Sequence, residues 1–177
     1  MSRPDNAEPK RMLAYGDSLT WGWIPVHVAP PSRRYPTSGR WPGVMREALG
    51  TGYDVIEAGL NGRTADLPDL TLPQMCGSGL DGSADLPATL ATHLPLDLVL
   101  IMRGTNDLKD MFDRSAFRIA LGCAKLVDIV QNINGGVATD YADPWVLRCV
   151  GLWSRFRPEG PWELSPGFSL GGVIFTR

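Results

Sequence analysis

Four short apolar runs give the chain an alternating character. They are Met12 to Tyr15, Asp54 to Glu57, Asp97 to Met102 (DLVLIM) and Trp145 to Val150 (WVLRCV), each of strand length. The third is apolar on both faces, the pattern of a central parallel strand covered by helices on each side. Between the runs the period lengthens to that of a helix. In WPGVMREALG the apolar positions are Trp41, Val44, Met45, Ala48 and Leu49, an i, i+3, i+4, i+7, i+8 stripe. Pro42 suits the first turn of this helix and Gly50 its C-cap. Further helices are predicted from about Leu86 to His93, with Pro87 early in it, and from about Ser115 to Asn132, ending at Gly135-Gly136. Strands alternating with helices predict βαβ units and a parallel, doubly wound sheet.

Composition narrows the functional classes without choosing one. The 177 residues favour one domain with a proper core, and 44% hydrophobic with 20% charged residues is an ordinary globular balance. A formal net charge of −2 gives no reason to expect nucleic acid or an anionic membrane as partner. Residues 1–10, polar and Pro-containing, read as a disordered lead-in without the apolar core of a secretory signal. No apolar run approaches the roughly 18 residues of a membrane span. Cys76, Cys123 and Cys149 are odd in number, far apart and without a CxxC pair. They support neither a disulfide framework nor a zinc site, so no metal is expected and a reducing, cytoplasmic setting fits best.

The chemistry is concentrated in loops 24–40, 58–83 and 104–114, which are rich in Gly, Pro and polar residues. In an open α/β sheet ligands sit beyond the carboxyl ends of the strands. Ser18 in GDS, the GLNGRT stretch at 59–64 and GTND at 104–107 each follow such an end. Taken singly, each is ordinary turn chemistry, and Ser18 can simply cap the helix that follows it. GDSLT is also not a GxSxG elbow, since position 20 is Thr. Together they form a set suited to acyl transfer, which needs a hydroxyl nucleophile and donors aimed at a developing oxyanion. Ser18 offers the hydroxyl and its own N–H, Gly62 a backbone N–H with room for close approach, and Asn106 a neutral side-chain amide.

GDSLTWGW, GLNGRT and GTND, in this order and at these intervals, resemble the first three sequence blocks of the GDSL, or SGNH, hydrolases. They are especially similar to the bacterial arylesterase/acyltransferase branch. The flanks RYP…RWPGVM, DVIEAGLNGRTA, LPATLATHLPLDLVLIM, GTNDLKDMF and IALGCAKLV extend the resemblance over about residues 11 to 143. It implies a flavodoxin-like three-layer α/β/α fold with a central parallel sheet, incomplete at the C-terminus, in a domain spanning 11–150. It also implies Ser18 as nucleophile, an oxyanion site of the Ser18 backbone, Gly62 and Asn106, and substrate-binding roles for Asp17, Trp21 and Trp23. For the two tryptophans the plain alternative, core aromatics, stands equally. No metal or organic cofactor is implied. The expected partners are small ester and alcohol substrates, and self-association is left open.

Three departures qualify that expectation. The family's general base is a His three residues after an Asp, near the C-terminus. This chain has two His, preceded at that spacing by Ile24 and Leu90. His93 precedes the third strand, so it belongs at the amino edge of the sheet, about 20 Å from Ser18. It reads as a helix-end residue. His27 follows the nucleophile in a loop that nothing in the sequence orients. Residues 151–177 form an atypical tail. From Arg148 onwards the chain has no Lys and no Asn, and its composition suggests a change of reading frame in a GC-rich gene. The alternative is a divergent segment whose strand GVIFT at 172–176 completes the sheet. Finally, Arg103 stands where an apolar residue is usual, to pair with Asp17 or Asp107 or to line the pocket. The expected function is therefore a serine esterase/acyltransferase of weak or no activity. The competing reading is a truncated or pseudoenzyme form that only binds acyl or aryl ligands.

Overall fold

The computed structural model describes residues 8–26, 32–72, 77–133, 145–150 and 174–176. Its strands are β1 (Lys10–Gly16), β2 (Tyr53–Gly59), β3 (Leu98–Arg103), β4 (Trp145–Val150) and β5 (Ile174–Thr176), in the order β2-β1-β3-β4-β5. The first four are parallel, as the apolar runs predict, and β5 pairs antiparallel with β4. The tail thus contributes a strand where GVIFT was read as one. His27, Cys76 and Gly135-Gly136 lie outside the described residues.

Helix α1 (Ser18–Trp21) is a single turn, followed by α2 (Trp41–Leu49), α3 (Gly82–His93) and α4 (Ala116–Gln131). One face of the sheet carries Leu13, Tyr15, Val99 and Ile101, which pack on Leu86 and Leu90 of α3 and on Ile119, Cys123, Leu126, Val127 and Val130 of α4. The i, i+4 spacing of the helical members is the inward stripe of an amphipathic helix. Helix α2 lies on the opposite face. Its Arg46 reaches Glu57, whose side chain alternates with Ile56 and Ala58 of the α3/α4 side. Helices on both faces of the sheet make the three-layer α/β/α arrangement.

Two helices depart from their patterns. Helix α2 has the expected bounds, with Pro in the first turn and Gly50 at φ 69° as C-cap, but its apolar stripe is not buried. Val44 is 51% exposed, while Pro42 and Gly43 turn inward. Close approach decides this: a Cβ on Gly43 would lie 1.8 Å from the Thr37 carbonyl oxygen. Helix α3 starts earlier than Leu86 because the Asp81 carboxylate accepts from the Ser83 and Ala84 N–H groups. This cap places Pro87 inside the helix. In α4 the Ser115 hydroxyl takes the cap position by accepting from Arg118 N–H.

Candidate active site

Register brings the three turns together. Gly16 pairs with Gly59 on one side and Met102 on the other, so β1, β2 and β3 end side by side. Ser18 follows the end of β1 by two residues, and Gly62 and Asn106 follow the ends of β2 and β3 by three each.

Glycines seat the first turn. A Cβ on Gly16 would lie 1.6 Å from Thr20 Oγ1, and one on Gly59 would lie 2.3 Å from the Trp21 nitrogen. Only glycine therefore lets α1 rest on the ends of β1 and β2. Asp17 caps it, accepting from Leu19 N–H at 3.0 Å, and Gly22 closes it at φ 87°. Asp17 is 1% exposed, so its carboxylate works beneath the turn, while Ser18 at the first helical position is half-buried.

The second turn docks beside the first, with Leu60 N–H donating to the Gly16 carbonyl at 3.2 Å. Gly62 adopts φ 80°, a left-handed conformation that favours glycine. Arg63 then turns inward. Its Nη1 donates to the Gly16 and Ala58 carbonyls at 3.3 and 2.9 Å, and its Nη2 meets Asp85 of α3 at 2.9 Å. The third turn joins the second by two bonds. Asn106 Nδ2 donates to the Arg63 carbonyl at 3.1 Å, and the Asp107 carboxylate accepts Ala65 N–H at 3.0 and 3.1 Å. Arg114 closes on Asp107 at 2.9 Å and on Asp66 at 2.5 Å.

The N–H groups expected to form an oxyanion site are largely unused. Among the described residues, neither Ser18 N–H nor Gly62 N–H donates a hydrogen bond. The Arg63 carbonyl takes one of the two Asn106 amide hydrogens, leaving the second. Burial raises the Asp17 and Asp107 carboxyls above their ordinary value, against the backbone bonds from Leu19 and Ala65. Burial likewise pushes the Tyr15 hydroxyl up to about 12. Tyr15 donates to the Gly82 carbonyl at 2.7 Å, and its ring lies 4.6 Å from the Arg63 guanidinium and 4.3 Å from that of Arg103.

Trp21 and Trp23 follow Ser18 closely in the chain, both half-buried. The Arg34 guanidinium lies 5.0 Å over the Trp21 ring, and Arg34 forms a bridge with Trp23. Three arginines, Arg34, Arg40 and Arg46, converge on Glu57 and hold this segment to β2. Arg103 makes neither of the ion pairs foreseen for it. Arg114 occupies Asp107, and Asp17, one oxygen of which caps α1, acts on Arg103 through its charge without a direct bond. His93 ends α3 at the amino edge of the sheet, as its place in the sequence implied.

Arg63, Asp85, Arg114 and Asp107 fix the turns through ion pairs that the sequence motifs do not announce. Two of these residues stand inside the motifs, directly after Gly62 and Asn106.

Residues 14–163 match the family described as GDSL-like lipase/acylhydrolase. Among solved structures the chain is similar to an inhibitor-bound aryl esterase of M. smegmatis, at 48% identity and a TM-score of 0.74. That match covers 80% of this chain and 63% of the other. A carbohydrate acetylesterase from Sinorhizobium meliloti is 50% identical with a TM-score of 0.73, over 78% of this chain and 62% of the other. The chain therefore spans a little under two thirds of these solved chains. No curated protein sequence matches it.

Proposed function

The chain belongs to the GDSL-like lipase/acylhydrolase family, and we propose that it is a serine esterase/acyltransferase working through an acyl-enzyme on Ser18. The observation that carries this reading is the meeting of three strand ends with Ser18, Gly62 and Asn106 and their unused donors. In the proposed reaction Ser18 Oγ adds to the ester carbonyl carbon and gives its proton to water, which returns one to the departing alkoxide. The carbonyl oxygen becomes an oxyanion held by Ser18 N–H, Gly62 N–H and Asn106 Nδ2. Collapse breaks the ester bond and releases the alcohol. Water or a second alcohol then adds to the acyl-enzyme, giving an acid or a new ester and restoring Ser18. Each oxyanion donor contributes on the order of 10²–10³ in rate.

Small aryl and acetyl esters are the proposed substrates, in keeping with what the two solved relatives are called. Trp21 and Trp23 supply apolar surface for the acyl or alcohol group, and Asp17 supports the substrate side by fixing α1. No described helix is long and apolar enough to cross a membrane. A cytoplasmic location belongs to this proposal, as does a catalytic domain over 11–150 followed by a frame-shifted tail, the alternative being a divergent segment whose strand β5 completes the sheet. Translating the other frames beyond codon 144 tests the tail, since finding no Asp-x-x-His in either frame rejects it.

The second reading is a protein that binds esters without turning them over. It is favoured by the placement of His93 at the far edge of the sheet. Hydrolysis of p-nitrophenyl acetate by purified protein, beside Ser18→Ala, decides between them. Ser18-dependent release of nitrophenolate supports the enzyme, and equal rates support the binding protein.

A further inference from the structure

Arg103 is the least expected residue in the neighbourhood of the site. It ends β3, just before the turn that bears Asn106, and is 1% exposed. Its Nε and Nη2 have no hydrogen-bond partner among the described residues, where it forms no ion pair either. What it touches is the face of Tyr15 and, through Nη1 at 3.4 Å, the carbonyl of Arg63. Burial brings its pKa down to about 10, outweighing Tyr15 and Asp17, which favour its charge. Such a group is a poor stabilising device, because its desolvation offsets most of what its contacts contribute. Stability alone does not account for it.

The acceptor of its Nη1 hydrogen bond is informative. The Arg63 carbonyl also receives Asn106 Nδ2, and Arg63 directly follows Gly62. A carbonyl oxygen has two lone pairs. With Arg103 on one, the direction of the other is set, and the Asn106 amide follows it. We propose that Arg103 is a positioning residue of the oxyanion site, holding the Arg63 carbonyl so that Asn106 and the Gly62 turn keep their alignment. This rests on the function proposed above, which gives Gly62 and Asn106 their roles. The turn has other anchors, in the Arg63 side chain and in Thr64 N–H on the Leu80 carbonyl at 2.9 Å. Loss of Arg103 therefore leaves the turn in place with its carbonyl free to tilt. Sub-ångström misplacement of catalytic groups is enough to slow a reaction many-fold.

The test uses Arg103→Leu and Arg103→Lys, each alone and combined with Asn106→Ala, with Ser18→Ala as blank. Three quantities are measured: acylation of Ser18 by p-nitrophenyl acetate, thermal unfolding, and the Asn106 side-chain amide resonances in ¹H–¹⁵N spectra. Arg103→Leu should slow acylation about 10-fold without lowering the melting temperature, and Arg103→Lys should slow it less. In the Asn106→Ala background neither change should slow it further, because both act through the same amide. The Asn106 resonances should move in both Arg103 variants. Additive losses, unchanged Ser18-dependent acylation, or a lowered melting temperature with unmoved Asn106 resonances would each overturn the proposal. If the parent shows no Ser18-dependent acylation, it is the esterase reading that fails. The resonances then decide the positioning role alone: moved, it stands; unmoved, it falls.

Discussion

Asp107→Ala removes the residue that most directly ties the second turn to the third. Asp107 is fully buried, and its carboxylate accepts Ala65 N–H and meets Arg114. Without it the buried Ala65 N–H loses its acceptor, a charge-assisted bond of about 1.5–3 kcal/mol. Arg114 is not stranded, because Asp66 and the Arg118 carbonyl still hold it at 2.5 and 2.9 Å. The about 3–5 kcal/mol of an orphaned buried charge therefore does not apply, and about 1 kcal/mol is a fairer figure for that half. Against both stands relief from burying the carboxylate, whose raised pKa shows that burial opposes its charge. The net expectation is a destabilisation of about 2–3 kcal/mol, which for a chain of this size lowers the melting temperature by about 4–12 °C. Thermal and urea unfolding followed by circular dichroism measure it. Asp107→Asn, which keeps one acceptor for Ala65, should lose less. A loss below about 1 kcal/mol in the alanine variant would refute the idea that this carboxylate holds the turns together.

Three further outcomes follow from the same contacts. Gly16→Ala sets a Cβ 1.6 Å from Thr20 Oγ1, so α1 must shift; Ser18-dependent acylation should fall steeply, and an unchanged rate would show that α1 tolerates displacement. Glu57→Gln leaves Arg40, whose side chain is 9% exposed, beside two other arginines without their carboxylate. A destabilisation of about 2 kcal/mol or more in urea is expected. Burial raises the Asp69 carboxyl, but bonds from Thr71 and Lys109 outweigh it and hold the pKa below 3.8. The stability Asp69 contributes is thus present above that value and lost below it. Asp69→Asn should be less stable at pH 7, with the gap to the parent closing as pH falls below 3.8.

The strands were legible because a buried parallel strand is an apolar run, a signal needing no knowledge of its partners. The three turns were legible because each pairs glycine with polar residues directly after such a run. The long-range contacts that fix them were not. Arg63 with Asp85, Arg103 with Tyr15, and Asp107 with Ala65 join residues far apart in the chain, and no local periodicity encodes such a pairing. The stripe of α2 misled for a related reason. Periodicity gave the helix correctly, but which face turns inward was decided by the close approach of Gly43 to Thr37 and by the arginines on Glu57. A short-range pattern specifies an element; the contact that orients it is long-range.

The source of a base for Ser18 leads to the last prediction. His93 ends α3, ahead of β3, and Leu98 pairs with Met12, so His93 lies at the opposite end of β1 from Ser18. A base must come within about 3 Å of the proton it takes, and the length of a strand separates these two. His27 is the other histidine of the chain, and its test is direct. Without a histidine in place, the Ser18 proton passes to solvent, and acylation should rise steadily with pH. Imidazole added in solution should then raise the rate in proportion to its neutral form, over and above its own reaction with the ester in Ser18→Ala. His27→Ala should change neither the pH profile nor the imidazole response. A rate that levels off above a pKa near 6.5, ignores added imidazole and collapses in His27→Ala would refute this. It would make His27 the base and the first turn the source of both halves of the catalytic pair.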